Sequence, residues 1–599
     1  MISKKAKLTI LVVLVVCACV LMFFSCDKPI DTTKDNSSNI EDNLGSLDTS
    51  IDSGDVDSSY NENGATKIVF GNSNPEISGL GANAVGNDVT ITTSGTFIIG
   101  GNCSDGSIVV DAGKGKEVQI VLNSLNLTNA DGYAIYVKSG KKVTVTLKNG
   151  SMNTVADGES YSIIDDNTTL DAAIFSKIDL VINGSGSLTV NGNNAHGIVS
   201  KDNLTVTGGV LDIASKSAGI CGKDSLKISG AQIKVNAGSD ALRSDSDTDV
   251  STGFIYIQSG KFDLTAKNDA IQAFTIVSID GGEFKIKTTS TLSSESAKAI
   301  KGGTGVKISN GTFVIDAEDD ALHSNGDILV AGGDFSIYSG DDGVHADGTL
   351  EIKNGNIVIN NSVEGIEGTH IAISGGYVDI TSSDDGMNAS GGNDTTTNAS
   401  GRPGMDMFEE TDGSITISGG YVIVHNEGDG VDSNGSLEIS GGVLLVDGPS
   451  RGGNGSFDYA TTAKITGGVV ITLGTSDMAQ NFTEATQGTT LVRSGGSFAA
   501  GTLMSICDEN GNVILAFRST KSFNGALFSA PELEKGKTYT FYMNADVQGL
   551  DENGFAHNTT QTGGEECGTV TLDDYISGQG SGMPGGGRPG GGGPGGRPW

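Results

Sequence analysis

The chain has 599 residues, with 37 Lys plus Arg against 73 Asp plus Glu and a formal net charge of −36. That charge argues against nucleic acid or an anionic membrane face as the main partner, because both would repel it; it suits a soluble surface, a cation, or a ligand bridged through a cation. With 90 glycines, 9 prolines and no sustained 3.6-residue apolar pattern after the N-terminus, the chain is neither collagen-like nor a proline spacer, and helix is disfavoured.

Lys4, Lys5 and Lys7 precede an apolar run from Leu8 to Phe24, the layout of a signal peptide over residues 1–25. At about seventeen residues the run falls short of the about 20 that a membrane-spanning helix needs. Ser25-Cys26 follows as at a bacterial lipoprotein cleavage site, so Cys26 is the expected lipidated N-terminus, although Phe23 stands where Leu is usual. An uncleaved anchor is the alternative. Either way the chain is expected to be exported and held at the cell surface, touching the membrane only through that lipid or anchor. Residues 26–65, rich in Asp, Asn and Ser, read as a disordered spacer. Beyond Cys26 only Cys103, Cys221, Cys507 and Cys567 remain, without metal-ligand spacing; the last two share one C-terminal region and are candidates to pair.

From about residue 66 to 480 one phrase recurs: an apolar residue, two small or polar residues ending in Gly, then alternating apolar positions. Ile279-Asp280-Gly281-Gly282-Glu283-Phe284-Lys285-Ile286 and Ile373-Ser374-Gly375-Gly376-Tyr377-Val378-Asp379-Ile380 are copies. The markers Gly260, Gly282, Gly311, Gly333 and Gly355 are 22, 29, 22 and 22 residues apart. A fixed period near 22, built from short β-type runs and glycine turns, predicts an all-β parallel β-helix solenoid. No coil can bury its own apolar residues, so neighbours must stack through parallel strands about 4.8 Å apart. Tyr377 and Tyr421 follow glycine turns and are read as packing inward, with sugar platforms as the alternative. A surface loop interrupts the coils at 390–412, residues 489–575 read as a small C-terminal β domain, and 576–599 as a flexible Gly/Pro-rich tail.

A second phrase falls in the other half of each coil: an acid, Ala or Gly, an apolar residue, then a variable one. Asp240-Ala241-Leu242-Arg243, Asp320-Ala321-Leu322-His323, Asp342-Gly343-Val344-His345, Glu364-Gly365-Ile366-Glu367, Asp385-Gly386-Met387-Asn388 and Asp429-Gly430-Val431-Asp432 are examples. The third position is always apolar and points into the core, so the fourth is expected to point out. The acid is doubled at Asp319-Asp320, Asp341-Asp342 and Asp384-Asp385. Like charges about 5 Å apart on adjacent coils repel by about 0.8 kcal/mol in water and about 3 kcal/mol at an effective dielectric of 20. A hard divalent cation is the simplest counterion, because Ca²⁺ takes six to eight oxygens in irregular geometry. The expected ligands are Asp319, Asp320, Asp341, Asp342, Asp347, Glu364, Glu367, Asp384, Asp385, Asp429 and Asp432. Capping of turn N–H groups by these acids is the competing reading.

These phrases, the Asp-Asp-Gly and Asp-Asp-Ala corners, the lipoprotein-like start and the Gly/Pro-rich end resemble the carbohydrate-binding parallel β-helix proteins of clostridial cell surfaces. The resemblance implies a right-handed β-helix of pectate-lyase-like shape, with calcium on its acidic face and affinity for cellulose or acidic, pectin-like sugars. The expected function is calcium-dependent binding of uronate-containing or plant-cell-wall polysaccharide by a monomer, with no catalysis. Arg243, Gln272, Lys301, His323, His345 and Asn388 would meet the sugar hydroxyls. Two alternatives stay open. One is a calcium-dependent polysaccharide lyase, whose base would be Arg243, Lys298, Lys301 or His323; the other is a structural adhesin that binds protein.

Overall fold

The computed structural model of the chain describes residues 47–71, 74–290, 296–389 and 412–578. The expected signal peptide, Cys26, the first part of the spacer, most of the loop at 390–412 and the tail from 579 lie outside the described residues. The chain is all-β: among the described residues helix is confined to Ser53–Val56 and a 3-10 turn at Glu62–Gly64.

One large sheet of 48 strands dominates. Its unit is seen in Gly305–Ile308, Thr312–Ala317 and Leu322–Ser324, three short strands in succession. Each pairs in parallel with its counterpart in the unit before, Ile276–Ile279, Glu283–Thr288 and Ile300–Gly302. Three ladders therefore run along the molecule, and "coil" here means one rung of all three. Phe284 pairs with Phe313 and Phe313 with Phe335, steps of 29 and 22 residues.

Alternation explains the packing. Thr312–Ala317 buries Phe313, Ile315 and Ala317 and exposes the residues between them. These inward residues join one continuous aliphatic core running from Ile68 to Leu527. In its centre Phe262, Phe284, Phe313 and Phe335 stack nearly parallel, with ring centroids 4.5–4.7 Å apart. Isolated aromatic pairs prefer offset or edge-to-face contact, so strand spacing imposes this column. It also explains the Gly-x-Phe motif. A Cβ on Gly311, at φ 137°, would lie 2.8 Å from the Phe313 ring.

The C-terminal region is β, but it is not set apart from the coils. Phe523–Ala530 pairs antiparallel with the coil strand Val469–Gly474 and with Gly488–Phe498, which ends the parallel order. A five-stranded antiparallel sheet follows. Its Phe517 and Phe541 share a cluster with Phe528 of the connecting strand and with the coil residues Ile423, Leu445 and Ile471. Tyr377 and Tyr421, expected to pack inward, instead stack on each other at 5.5 Å under this region. The Tyr421 hydroxyl donates to Asp551 Oδ2 at 2.8 Å, and the Tyr377 hydroxyl contacts Asn553. Cys507 and Cys567 are unpaired thiols, because the strand Thr538–Met543 lies between their strands.

The spacer expectation also needs correcting over its second half. Residues from Leu47 onward form a strap across the outside of the coils. Leu47 packs against Phe254, Tyr256 and Ile276. The Lys227 ammonium donates to Ser50 O at 3.0 Å, and Asn183 Nδ2 donates to Asp55 O and Asp57 O, each at 3.1 Å. Asp55 pairs with Lys142 at 2.5 Å. Distant side chains satisfy the strap's backbone, so a segment too polar to fold alone is ordered by what it lies on.

Candidate functional site

The third ladder sets the site. Its apolar position is buried in every coil, as at Leu242, Ile271, Ile300, Leu322, Val344, Ile366, Met387 and Val431. The next residue points the other way, and register aligns these into one column: Phe175, Val199, Cys221, Arg243, Gln272, Lys301, His323, His345, Glu367, Asn388, Asp432 and Asp458. The column changes from apolar through basic to acidic along the molecule.

This column was expected to face solvent, and the structure corrects that. His345 is 0%, His323 5% and Asn388 8% exposed, while Arg243, Gln272 and Lys301 are half-buried. Its apolar end forms a separate small cluster of Tyr136, Phe175, Val199 and Cys221 with Leu170. The fourth position leaves the main core but stays covered, so His345 has no surface with which to meet a sugar.

In four of the phrases the opening acid uses one oxygen as a cap. Asp269 Oδ1 accepts the Lys298 N–H at 2.9 Å, Asp320 Oδ1 the Asp342 N–H at 3.1 Å, and Asp385 Oδ1 the Asp429 N–H at 2.5 Å. Asp429 does the same for Gly455. The capping reading and the cation reading are therefore not exclusive, since a carboxylate has a second oxygen. In the doubled pairs the first acid lies outward: Asp341 and Asp384 are exposed, Asp319 half-exposed, and Asp320 and Asp342 buried.

What meets the second oxygen divides the column. Asp240 Oδ2 is 3.4 Å from the Arg243 guanidinium. Asp320 Oδ2 is 2.5 Å from Lys298 Nζ and 2.8 Å from His323 Nδ1, and Asp319 is 3.2 Å from the same Lys298. Burial opposes ionisation of Asp320, but the His323 bond and the Lys298 charge outweigh it and hold the carboxyl below its ordinary value. Asp319 and Asp320 thus already have a built-in cation. Asp342 Oδ2 lies 2.8 Å from His345 Nδ1; burial together with the Asp320 and Glu367 charges still pushes it up to about 8.

From Glu364 onward, acids or amides replace the bases. Burial and the Glu367 charge raise Glu364 to about 9. Burial and the Asp429 charge raise Asp385 to about 7. Asp432 rises to about 8 through burial and the Asp385 charge, and Asp429 to about 6, mainly through burial. Asp385, Asp429 and Asp432 each bring one oxygen within 4.8 Å of the others. Between Glu367 and Asp432 stands Asn388, whose Nδ2 donates to Glu364 Oε2 at 2.8 Å while its buried Oδ1 has no hydrogen-bond partner. A carbonyl oxygen buried without a donor, beside three converging carboxylates, offers the kind of oxygens that could hold a hard cation. Of the other expected ligands, Asp347 bonds His345 Nε2 at 3.3 Å, and Asp319, Asp320 and Asp341 form a group of their own.

Sequence reasoning missed one participant, Asp458, and the role of another, since Lys298 was read only as a candidate base. Lys298 takes the acid's place in Lys298-Ala299-Ile300-Lys301, and that exception was the signal of a counterion. Asp458 extends the acidic column in a phrase without the opening acid, so only register finds it.

The architecture and this column define an all-β protein of stacked coils with a carboxylate-lined ladder. Residues 85–343 and 340–506 match the family model described as carbohydrate-binding domain-containing protein. The chain belongs to that family. A carbohydrate-binding domain-containing protein of Acetivibrio thermocellus is 38% identical over 150 residues, which are 24% of this chain and 52% of that one. The chain thus spans about half the length of that relative. Among solved structures, a polysaccharide lyase-like protein from C. thermocellum, a gadolinium derivative, aligns at 29% identity with a TM-score of 0.37, covering 49% of this chain and all of that one.

Proposed function

We propose that this is a cell-surface, calcium-dependent polysaccharide-binding protein, a right-handed parallel β-helix tethered through lipid on Cys26, that takes uronate-containing glycans. The observation that carries the reading is the convergence of Asp385, Asp429 and Asp432 beside the unpartnered Asn388 Oδ1, with no Lys, Arg or His paired to those acids among the described residues. Glu364 and the outward Asp384 supply further oxygens. Ca²⁺ suits such a set because it accepts carboxylates and carbonyls in flexible geometry. A bound ion would also reverse the local charge, letting a uronate carboxylate approach a chain of net charge −36 that would otherwise repel it. Of the former sugar-contact row, the half-buried Arg243, Gln272 and Lys301 keep that role in the proposal, while His323, His345 and Asn388 act from beneath the surface. Binding without turnover is favoured over β-elimination, because Lys298 is held by Asp319 and Asp320 rather than open to a substrate proton.

The test is a calcium titration of the whole chain with and without polygalacturonate. Calcium is expected to raise glycan affinity at least tenfold, chelator to abolish the gain, and no unsaturated product to absorb. Asp385→Ala combined with Asp432→Ala should remove both calcium uptake and the glycan response. Unchanged calcium stoichiometry in that double variant would refute the site.

A further inference from the structure

Two coils before the acidic cluster, the column contains an arrangement that calcium chemistry does not suit. His345 is fully buried. Its Nδ1 lies 2.8 Å from Asp342 Oδ2 and 3.0 Å from Glu367 Oε2, and its Nε2 lies 3.3 Å from Asp347 Oδ1. Imidazole carries at most one hydrogen on each nitrogen. Two carboxylates on neighbouring coils therefore compete for the single Nδ1 hydrogen, and they approach each other to do so.

We propose that His345, Asp342 and Glu367 bind a borderline divalent cation of the Zn²⁺ class, a second ion distinct from the calcium of the acidic cluster. The cation takes the place of the Nδ1 proton, which leaves to solvent, and satisfies both competing oxygens at once. Asp347 then keeps the Nε2 hydrogen, the outer carboxylate–histidine contact that orients ligating imidazoles. The separations fit. Tetrahedral ligands about 2.1 Å from a metal stand about 3.4 Å apart, so the 2.8 and 3.0 Å separations need to open by only about half an ångström. The donor type fits as well, since mixed imidazole and carboxylate ligands suit Zn²⁺ or Co²⁺, whereas Ca²⁺ takes oxygen.

A second imidazole stands beside the first. The His323 ring lies 5.0 Å from that of His345, and Asp320, His323 and His345 offer atoms all within 4.8 Å of one another. Lys298 already neutralises Asp320, which places the ion on the Asp342 and Glu367 side. The Glu367 and Asp347 side chains, 13% and 32% exposed, provide the route in. This site stands whether or not the chain binds glycan.

The experiment titrates the chelator-treated full chain with Co²⁺ in excess Ca²⁺, following visible absorption, and then displaces the Co²⁺ with Zn²⁺. One Co²⁺ per chain with imidazole-ligated bands is expected. Glu367→Gln should weaken it more than tenfold, and Asp432→Asn should leave it unchanged while reducing calcium uptake. ¹⁵N spectra of the unaltered protein give a readout free of any folding defect, because Zn²⁺ should shift one histidine Nδ1 resonance. If Ca²⁺ displaces the Co²⁺, or Glu367→Gln binds Co²⁺ as tightly as the unaltered chain, or no histidine nitrogen responds, the proposal is overturned. Glycan binding measured on the same samples shows whether the calcium reading fails with it.

Discussion

The coils from Asp240 to His323 and those from Glu364 to Asp458 share backbone and register, and most carry an acid at the same corner, yet they balance its charge differently. In the first stretch the cation belongs to the chain: Arg243 serves Asp240 and Asp245, and Lys298 serves Asp319 and Asp320. In the second, the positions that held bases hold Glu367, Asn388, Asp432 and Asp458. A cation carried by the chain makes a corner self-sufficient and insensitive to its surroundings. A corner that lacks one is raised toward neutrality or must recruit an ion, and such a corner can couple to a ligand.

The largest expected effect comes from removing a built-in cation. The Lys298 and Asp320 side chains are 10% and 2% exposed, so Lys298→Met would strand a buried carboxylate. Breaking a buried pair in this way costs about 3–5 kcal/mol. Urea unfolding should register a loss of that size, whether or not calcium is present. A loss under about 1 kcal/mol would mean that the first stretch is not self-neutralised after all.

Next in size is the dependence on pH, in which Asp320, held by Lys298 and His323, should run opposite to the raised acids of the second stretch. Glu364, Asp432 and Asp385 are raised to about 9, 8 and 7. The folded state therefore holds protons that the unfolded state releases near pH 4. Their contribution is present at low pH and is lost as pH rises from about 4 through those values, by about 1.4 kcal/mol per pH unit for each proton by which the two states differ. Asp320 is depressed, so its contribution is present above the unfolded carboxyl value and lost as pH falls through the lower folded one. Thermal melts of chelator-treated protein should fall in Tm between pH 5 and 9, and saturating calcium should flatten that slope. A slope indifferent to calcium would remove the ion from the second stretch.

Much of this was legible in the sequence, but not evenly. Gly311 followed by Phe313, with the same spacing two coils running, gave the strands, their steps and the inward face, because period-two alternation leaves little freedom once a strand pairs. The acid phrase located the corner. It did not reveal that Asp320 caps Asp342 with one oxygen while Lys298 takes the other, since that depends on which coils become neighbours across a 22-residue separation. Outward direction was read as exposure, and His345 shows why that fails: the carboxylates of Asp342, Asp347 and Glu367 close over it. The strap was hidden for another reason. Composition reports what a segment can bury, whereas Asp55 and Asp57 are held by backbone carbonyls donated to from Asn183, more than a hundred residues away.

The smallest effect is the sharpest discriminator, because its sign differs from that of ordinary substitutions. Most changes at half-buried positions destabilise by about 1 kcal/mol. Asp432→Asn keeps the shape of a side chain whose neighbours Asp385, Asp429 and Asp458 all oppose its ionisation. In chelator-treated protein at pH 8 it should stabilise by about 1 kcal/mol, because it removes a charge that burial and three acids disfavour. In saturating calcium the same variant should be the less stable one, having lost a ligand to an ion that binds the folded state. Asp320→Asn should show no such reversal, since Lys298 and His323 lose a partner under either condition. A crossover at Asp432 without one at Asp320 would tie the difference between the two stretches to a recruited ion, whereas destabilisation at both sites under both conditions would make the acidic corner a structural cap along its whole length.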